Sequence, residues 1–153
     1  MKINAQVYIC TAVSIEDRVM IAAGVIFTND RYPRAFEDGV EGLAASGPTE
    51  DTLMTIVGHG TTIGAGAIIG PGLTIGAYAM IGMGAAVVAD VPSHGLVYGN
   101  PARLHGYVCV CGRPVARANH GDAGAAPALH CRHCGRQYGL RADDEGLQLL
   151  PAS

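Results

Sequence analysis

The chain has 153 residues, a net charge of −3 and no basic cluster or stripe, which argues against nucleic acid as a partner. No apolar run reaches the ~18 residues of a membrane span, and Met1 and Lys2 lead directly into a repeat. We therefore expect neither a membrane segment nor a signal peptide and, by default, a cytoplasmic protein. The length predicts one main domain with a small appendage.

A large apolar residue recurs every six positions at the start of the chain and again in its middle. The first block is Ile3, Ile9, Ile15, Ile21 and Phe27, and the second is Val57, Ile63, Ile69, Ile75, Ile81 and Val87. Neither a helix nor a strand has a period of six. A hexapeptide repeat predicts a parallel β-helix, in which three hexads close one coil of about 18 residues. We expect the aliphatic side chains inside this prism, with glycine beside them where the backbone is tight.

The segment 28–56 lacks the repeat and separates the two blocks. Because the blocks on either side are in phase, we interpret it as a loop that leaves one corner of the β-helix and returns near residues 51–56. A loop of more than about 20 residues inside a compact repeat is usually functional or disordered. Hydrogen-bonding and charged residues are concentrated in its first half, which we take as the functional part.

Two segments resemble a known family. Residues 27–35 read FTNDRYPRA, and residues 90–103, after the second block, read DVPSHGLVYGNPAR. Together with the hexads they are similar to the left-handed β-helix sugar N-acyltransferases, in particular those that acetylate an amino group of a nucleotide-linked amino sugar from acetyl-CoA. The resemblance covers about residues 2–107. It implies a left-handed coil, acetyl-CoA as co-substrate and a homotrimer with active sites between neighbouring prisms.

The resemblance also implies roles for loop residues. Asn29 matches the loop asparagine of the family and would orient the acceptor amine or pass on its proton, with Asp30 beside it as a second catalytic candidate. Both residues are equally typical of turns, where their side chains bind the local backbone. Arg31, Tyr32 and Arg34 are candidates for binding the acceptor, since arginine suits a phosphate or carboxylate. A solvated loop is the alternative.

Asn100 and Arg103, in the GNPAR segment, are the candidates for binding CoA. In the family this region lies along the CoA, and the donors of an arginine suit its phosphates. The alternative for Arg103 is a surface salt bridge.

His59 lies two residues after the inward position of Val57, where we expect it to face outward into a groove between subunits. A histidine of near-neutral pKa is the usual general base, although a solvated corner residue would look the same. We expect His94 and His105 to be surface residues. A zinc site like that of the γ-carbonic anhydrases needs three converging histidines, which the repeat does not offer.

The composition changes after residue 107, and we place a second small domain at residues 108–153. Two cysteine pairs, Cys109/Cys111 and Cys131/Cys134, are each followed by glycine. Two strand-like runs follow, at 136–141 and 146–150. This pattern resembles a zinc ribbon, in which four thiolates fill a closed tetrahedral shell of structural Zn²⁺. One of the histidines could replace a thiolate; these are His120, His130 and His133.

The sequence therefore predicts an all-β protein, a parallel β-helix (1–107) with one ejected loop and a zinc ribbon, and the resemblance implies that the β-helix is left-handed. The function that we favour is acetyl-CoA-dependent N-acylation of an amino sugar. One alternative is O-acylation of a sugar hydroxyl with His59 as the base. The other is a non-catalytic trimeric scaffold, in which the ribbon is a binding module.

Overall fold

The computed structural model describes residues 1–36, 39, 41–44, 47–117, 129–141, 143 and 146–151. These residues form an all-β structure without a helix. In this part of the chain no helix is long and apolar enough to cross a membrane.

Short strands at the hexad positions build the β-helix. They are β1 (Lys2–Ile3), β2 (Val13–Ile15), β3 (Met20–Ile21), β4 (Ile26–Phe27), β5 (Thr55–Val57), β6 (Thr62–Ile63), β7 (Ile68–Ile69), β8 (Thr74–Ile75), β9 (Met80–Ile81), β10 (Ala86–Val87) and β11 (Gly95–Gly99). Face 1 of the prism contains β1-β3-β6-β9-β11, face 2 contains β4-β7-β10, and face 3 contains β2-β5-β8. All neighbouring strands within these faces pair in parallel.

The pairing register confirms the coil that the repeat predicted. Ile63 pairs with Ile81, and Ile3 with Ile21, so that equivalent inward residues lie one coil apart. Across the inserted loop the same rule holds, because Ile21 pairs directly with Ile63. The loop therefore leaves the prism between faces 2 and 3 and does not interrupt the stack.

The inward residues form a continuous apolar core. Side chains in the middle coils, such as Ile63, Ile69 and Ile75, are fully buried. Ile3 and Ile9 in the first coil are 44% and 38% exposed, because another coil covers them from one side only. Burial of the aliphatic register is thus what stabilises the stack.

Two different glycine positions make the corners possible. The residue three places after an inward residue has a positive φ at most corners, as at Gly66 (φ 68°), but not at Asp30 and Asp90 of the corner where the loop leaves the prism. The glycine directly after the inward residue is needed for a different reason, namely space: a Cβ on Gly64 would lie 2.6 Å from the backbone N of Met83 in the next coil. The tight backbone expected beside the aliphatic residues is therefore a close approach between coils.

The C-terminal part continues from face 1. The strands are β12 (Ala102–Val108), β13 (Pro114–Arg117), β14 (Leu129–His130), β15 (Gln137–Leu140) and β16 (Leu147–Leu149). β12 pairs antiparallel with β11 and β13, and β14-β15-β16 form a separate antiparallel sheet. The two strand-like runs predicted after the cysteines correspond to β15 and β16. The predicted domain boundary at residues 107/108 falls inside β12.

Candidate functional site

The insertion corner, which we define by residues 28–36, 47–54, 70–73 and 88–90, carries the first group of predicted residues. The N–H and hydroxyl of Thr28 donate to the carbonyl of Ile69, at 3.0 and 3.2 Å, which holds the start of the loop on the prism. The carbonyl of Asn29 accepts the N–H of Leu53 at 3.2 Å, so the two ends of the loop meet. Half-buried Asn29 therefore lies at the base of the loop.

Asp30 and Arg31 line a small groove of about 150 Å³ with Val88 and the coil residues of this corner. The Asp30 carboxylate accepts the N–H of Tyr32 at 2.9 Å, which is the turn role given above as the alternative. Arg34 donates to the carbonyl of Pro33 at 3.1 Å and is exposed, like Tyr32. The structure thus gathers Asp30 and Arg31 at one groove and leaves the other two on the solvent side of the loop.

Arg103 lines a larger groove of about 460 Å³ at the C-terminal end of the prism, which shares Val88 with the smaller one. Its walls are mainly apolar, and Asp90 is the acidic residue among them. The Asp90 carboxylate accepts the N–H of Thr74 at 2.8 Å and so orders this corner. Asn100 lies exposed in the turn between β11 and β12 and does not line either groove.

His59 lies at another corner, between faces 3 and 1. We call this the module corner, because the C-terminal module packs on it, and define it by residues 16–19, 58–61, 76–79 and 92–95. The N–H of His59 donates to the Glu16 carboxylate at 2.7 Å. Its half-buried ring packs edge-on against Tyr78, with centroids 5.4 Å apart. One chain therefore does not bring His59 and Asn29 together.

The prediction that His94 is a surface residue is wrong, because its side chain is only 4% exposed. Its ring stacks on Tyr78 at 5.1 Å and meets Tyr138 of β15 edge-on at 5.1 Å. Its Nδ1 donates to the carbonyl of Val108 at 2.8 Å. A corner histidine of a bare prism would be solvated, but here the C-terminal residues cover it. The prediction for His105 is confirmed, since it is exposed and stacks on Tyr98.

The four predicted cysteines form one cluster. The Sγ atoms of Cys109, Cys111, Cys131 and Cys134 all lie within 4.8 Å of one another. Cys109 and Cys134 are 3.4 Å apart, and Cys111 and Cys131 are 3.7 Å apart. Thiolates at ~2.3 Å from a tetrahedral Zn²⁺ would be ~3.8 Å apart, so the donor set fits this ion. Among the described residues the cluster includes neither His130 nor His133, and His120 lies outside the described residues.

Both cysteine pairs lie in tight turns. The N–H of Gly112 donates to the carbonyl of Cys109 at 2.7 Å, and that of Gly135 to the carbonyl of Cys131 at 2.8 Å. Both glycines have a positive φ, which accounts for glycine after each pair. These turns aim two thiols from each side at a common centre.

The surroundings shift the pKa values of two of the thiols in opposite directions. Burial raises the pKa of Cys109 to about 12. By contrast, hydrogen bonds from the backbone and side chain of Arg136 lower the pKa of Cys134 to about 6. The Tyr138 hydroxyl donates to the Cys109 sulfur at 2.9 Å and accepts the N–H of Val110 at 3.1 Å. Tyr138 thus orients one thiol from outside the cluster, as groups around metal ligands do.

Sequence reasoning missed Glu16, Tyr78 and Tyr138. A signal existed for one of these contacts, because Tyr78 and His94 each follow an inward residue of face 3 by three positions. They therefore occupy the same corner position in consecutive coils. The contact of Tyr138 depends on how the C-terminal residues pack on the prism, which no local pattern shows.

Comparison with known proteins relates the β-helix to acetyltransferases. No family model matches the chain. Over 57 residues it is 42% identical to a dTDP-3-amino-3,6-dideoxy-alpha-D-galactopyranose 3-N-acetyltransferase of Aneurinibacillus thermoaerophilus. This match covers 37% of the chain and 30% of that protein.

Solved structures with the same fold are acetyltransferases as well. A maltose O-acetyltransferase from Clostridium difficile 630 has a TM-score of 0.55 and 29% identity, over 67% of this chain and 52% of that one. A galactoside acetyltransferase in complex with coenzyme A has a TM-score of 0.53 and 29% identity, over 66% and 48%. The chain thus spans about half the length of these proteins. They are left-handed β-helix proteins, in agreement with the fold that the resemblance implied.

Proposed function

We propose that this protein is an acetyl-CoA-dependent acyltransferase that acetylates the amino group of a sugar, with a nucleotide-linked amino sugar as the acceptor. The observation that carries the proposal is the 42% identity to an N-acetyltransferase whose name specifies such an acceptor. The galactoside acetyltransferase with bound coenzyme A supports the choice of co-substrate. A cytoplasmic location belongs to the same proposal.

The chemistry assigns roles at the insertion corner. The acceptor amine attacks the thioester carbonyl, the C–S bond breaks, and the CoA thiolate leaves and can take the proton that nitrogen loses. Asn29 would orient the amine at the base of the loop, beside the groove lined by Asp30 and Arg31. Arg103 in the adjoining groove would bind a CoA phosphate. Correct placement of the two reactants supplies most of the catalysis in such a site.

O-acylation of a sugar hydroxyl is the second candidate. The maltose O-acetyltransferase among the structural neighbours favours it. A hydroxyl must lose its proton as it attacks, and therefore needs a general base. His59 would supply it, held by its N–H bond to Glu16 and by the ring of Tyr78.

The proposal includes a homotrimer with sites between neighbouring prisms. Face 2 supports it, because Tyr8, Ile26 and Ile68 follow one another in register on its outer side and are 61%, 42% and 48% exposed. An apolar stripe of this kind typically marks an interaction surface. A second copy would also bring Asn29 and His59, which one chain holds apart, toward a common groove. Light scattering should report about three times the 15.7 kDa chain mass; a monomer would contradict it.

A direct assay tests the activity. The protein is incubated with acetyl-CoA and either a dTDP-linked 3-amino sugar or the matched sugar that carries a hydroxyl at this carbon. The product is detected by mass spectrometry, because the exposed Cys111 and Cys134 would react with thiol reagents. We expect acetylation of the amine. Acetylation of the hydroxyl sugar alone would establish the second candidate. If no product forms and acetyl-CoA does not bind, the remaining candidate is the non-catalytic scaffold.

Two variants assign the catalytic residue. For an amine acceptor, Asn29→Ala should lower turnover about 10²-fold, as loss of one well-aimed polar group does, and His59→Ala should have a milder effect. For a hydroxyl acceptor, His59→Ala should instead cost roughly 10²–10⁴-fold and remove one limb of the pH profile. The measurement is kcat/KM against pH for each variant. A large His59 effect beside a negligible Asn29 effect would reverse the assignment.

We also propose that the four-cysteine cluster binds one structural Zn²⁺. Its support is the convergence of four sulfurs at distances that suit a closed tetrahedral shell. The cluster would then be the centre of a zinc ribbon made of the two cysteine turns and the sheet β14-β15-β16. When bound, the ion would tie these turns together.

A further inference from the structure

Four rings form a continuous column from the prism to the cysteine cluster. His59, Tyr78, His94 and Tyr138 follow one another with centroids 5.4, 5.1 and 5.1 Å apart. We call these residues the ring column. Its upper end reaches the cluster directly, because the Tyr138 hydroxyl donates to Cys109. Its lower end is His59, the candidate base. The column therefore connects two sites that sequence reasoning treated as independent.

Backbone hydrogen bonds run along the same path. In the prism, the N–H of Tyr78 donates to the carbonyl of His59 and that of His94 to the carbonyl of Ala77, at 2.7 and 2.8 Å. Toward the C-terminal residues, the N–H of Val108 donates to the carbonyl of His94 at 2.8 Å. The N–H of Leu147 donates to the carbonyl of Ser93 at 3.0 Å. The last coil of the module corner is thus bound on its outer side by the residues that surround the cluster.

Burial also differs between the two ends of the module corner. Ser93 and His94 are 7% and 4% exposed, whereas the equivalent corner residues Asp17 and Arg18, which follow Ile15 in the first coil, are solvent-exposed. The buried histidine is held from both sides, by Tyr78 below and by Tyr138 and the Val108 carbonyl above. Loss of order around the cluster would remove the upper contacts and expose the corner.

We propose that metal binding at the four cysteines positions the module corner through Tyr138 and His94, so that the metal centre and the His59 end of the column are energetically coupled. This inference rests on the proposed Zn²⁺ site and is independent of the acyl acceptor. Tyr138, His94 and Tyr78 act as positioning residues. Coupling of this kind is reciprocal. If metal binding stabilises the ordered corner, then loss of order at the corner must lower the affinity for the metal by the same factor.

Variants at the corner test this reciprocity without touching the cluster. Tyr78 and His94 both have a positive φ, 57° and 63°, and asparagine tolerates this conformation best among non-glycine residues. We therefore choose Tyr78→Asn and His94→Asn, which remove the rings and keep the backbone unstrained. His105→Asn is the matched control, because this histidine stacks on Tyr98 away from the column. Zn²⁺ affinity is measured by competition with a chromophoric chelator.

We expect His94→Asn to lower Zn²⁺ affinity by about fivefold or more, Tyr78→Asn by less, and His105→Asn not at all. Tyr138→Phe, which keeps the ring and removes the hydroxyl from Cys109, should lower it about 10–100-fold. A loss confined to Tyr138→Phe would overturn the coupling and leave a local metal site. Wild-type protein that binds no Zn²⁺ would overturn both metal proposals, and neither result bears on acyl transfer.

Hydrogen exchange on the wild-type protein gives the converse measurement. Removal of the ion by a chelator should speed exchange at the amides of Tyr78 and His94. The amide of Gly70, which donates to Val87 at the insertion corner, is the internal control and should not change. Unchanged exchange at the module corner after confirmed metal removal would overturn the inference.

Discussion

The β-helix and the C-terminal residues are stabilised in different ways. In the β-helix, each inward residue covers the one below it, and the buried core extends from Val19 to Val97 with mainly aliphatic side chains. Among the C-terminal residues that the structure describes, the core around the cysteines consists of four buried residues, Cys109, Cys131, Tyr138 and Leu147, and two of them are thiols. A repeated apolar stack supports itself through burial, whereas a segment of about 40 residues or fewer usually needs a metal or disulfides.

The same contrast appears in the hydrogen bonds. Coils of the β-helix repeat one backbone pattern, as in the bonds from Gly64 to Ile81 and from Gly70 to Val87. Around the cysteines the hydrogen bonds belong to individual turns and side chains, such as the Gly112 turn or the contact from Tyr138 to Cys109. Loss of a single group should therefore have local consequences in the stack and large ones near the cluster.

The largest expected effect is that of Cys131→Ser. Removal of one thiolate should release Zn²⁺, whose binding contributes on the order of 10 kcal/mol to the folding of a small zinc domain. The residues around the cluster should then unfold, while the β-helix outside the module corner keeps its structure. Metal analysis together with hydrogen exchange resolved by region checks this. Cys10→Ser, a half-buried cysteine packed against the β-helix core, is the control and should retain the metal.

Zinc retained by Cys131→Ser, or freshly reduced wild-type protein without zinc, would contradict the difference between the two regions. Unfolding of both regions in one transition would also contradict it, because the β-helix would then depend on the metal.

A smaller effect is expected from Ile63→Ala in the middle of the stack. Ile63 is fully buried between Ile21 and Ile81, so truncation should cost about 2–5 kcal/mol in the free energy of unfolding of the β-helix. Ile3→Ala in the first coil should cost clearly less, because Ile3 is already 44% exposed. Chemical denaturation measures both, and the zinc content should stay unchanged in each. Equal losses in the two variants would show that the coils are not stabilised by mutual burial.

The sequence predicted the β-helix in detail because one residue type has one role at each repeat position. The pairing of Ile63 with Ile81 and the exit of the loop after Phe27 both follow from the period alone. The convergence of four thiols was also predictable, since two short spacings each place two sulfurs on one turn. These are local properties, and a single sequence contains them.

The arrangement of the candidate site was harder to predict from the sequence. Burial of His94 arises from packing between distant segments, with Tyr138 and Val108 supplying the contacts. The turn role of Asp30 and the catalytic role implied by the resemblance use the same residue type at the same place, and the structure shows the turn bond. The separation of Asn29 and His59 on two corners depends on the phase of the prism rather than on their distance in sequence.

The smallest expected effect separates the two uses of glycine within the stack. A Cβ added at Gly64 would lie 2.6 Å from the Met83 nitrogen, and backbone of the next coil would have to move. Gly64→Ala should therefore cost about 1–3 kcal/mol, as overpacking does. At Gly66 nothing lies within 4 Å of the added Cβ, and the only cost is the positive φ of 68°. Ala12 already adopts φ 64° three places after the inward Ile9, at a neighbouring corner, so this fold accepts alanine at that repeat position.

We expect Gly66→Ala to cost about 1 kcal/mol, because the left-handed conformation costs a non-glycine residue roughly 1–2 kcal/mol and the lower entropy of the unfolded chain offsets part of this cost. Urea denaturation of the two variants, monitored by circular dichroism of the β-helix, measures the difference. If Gly66→Ala were the more damaging, backbone conformation rather than the close approach of coils would limit the stack. Because both glycines lie in the β-helix, neither variant should release the proposed Zn²⁺, so the pair isolates the self-supporting region from the one that the ion would hold.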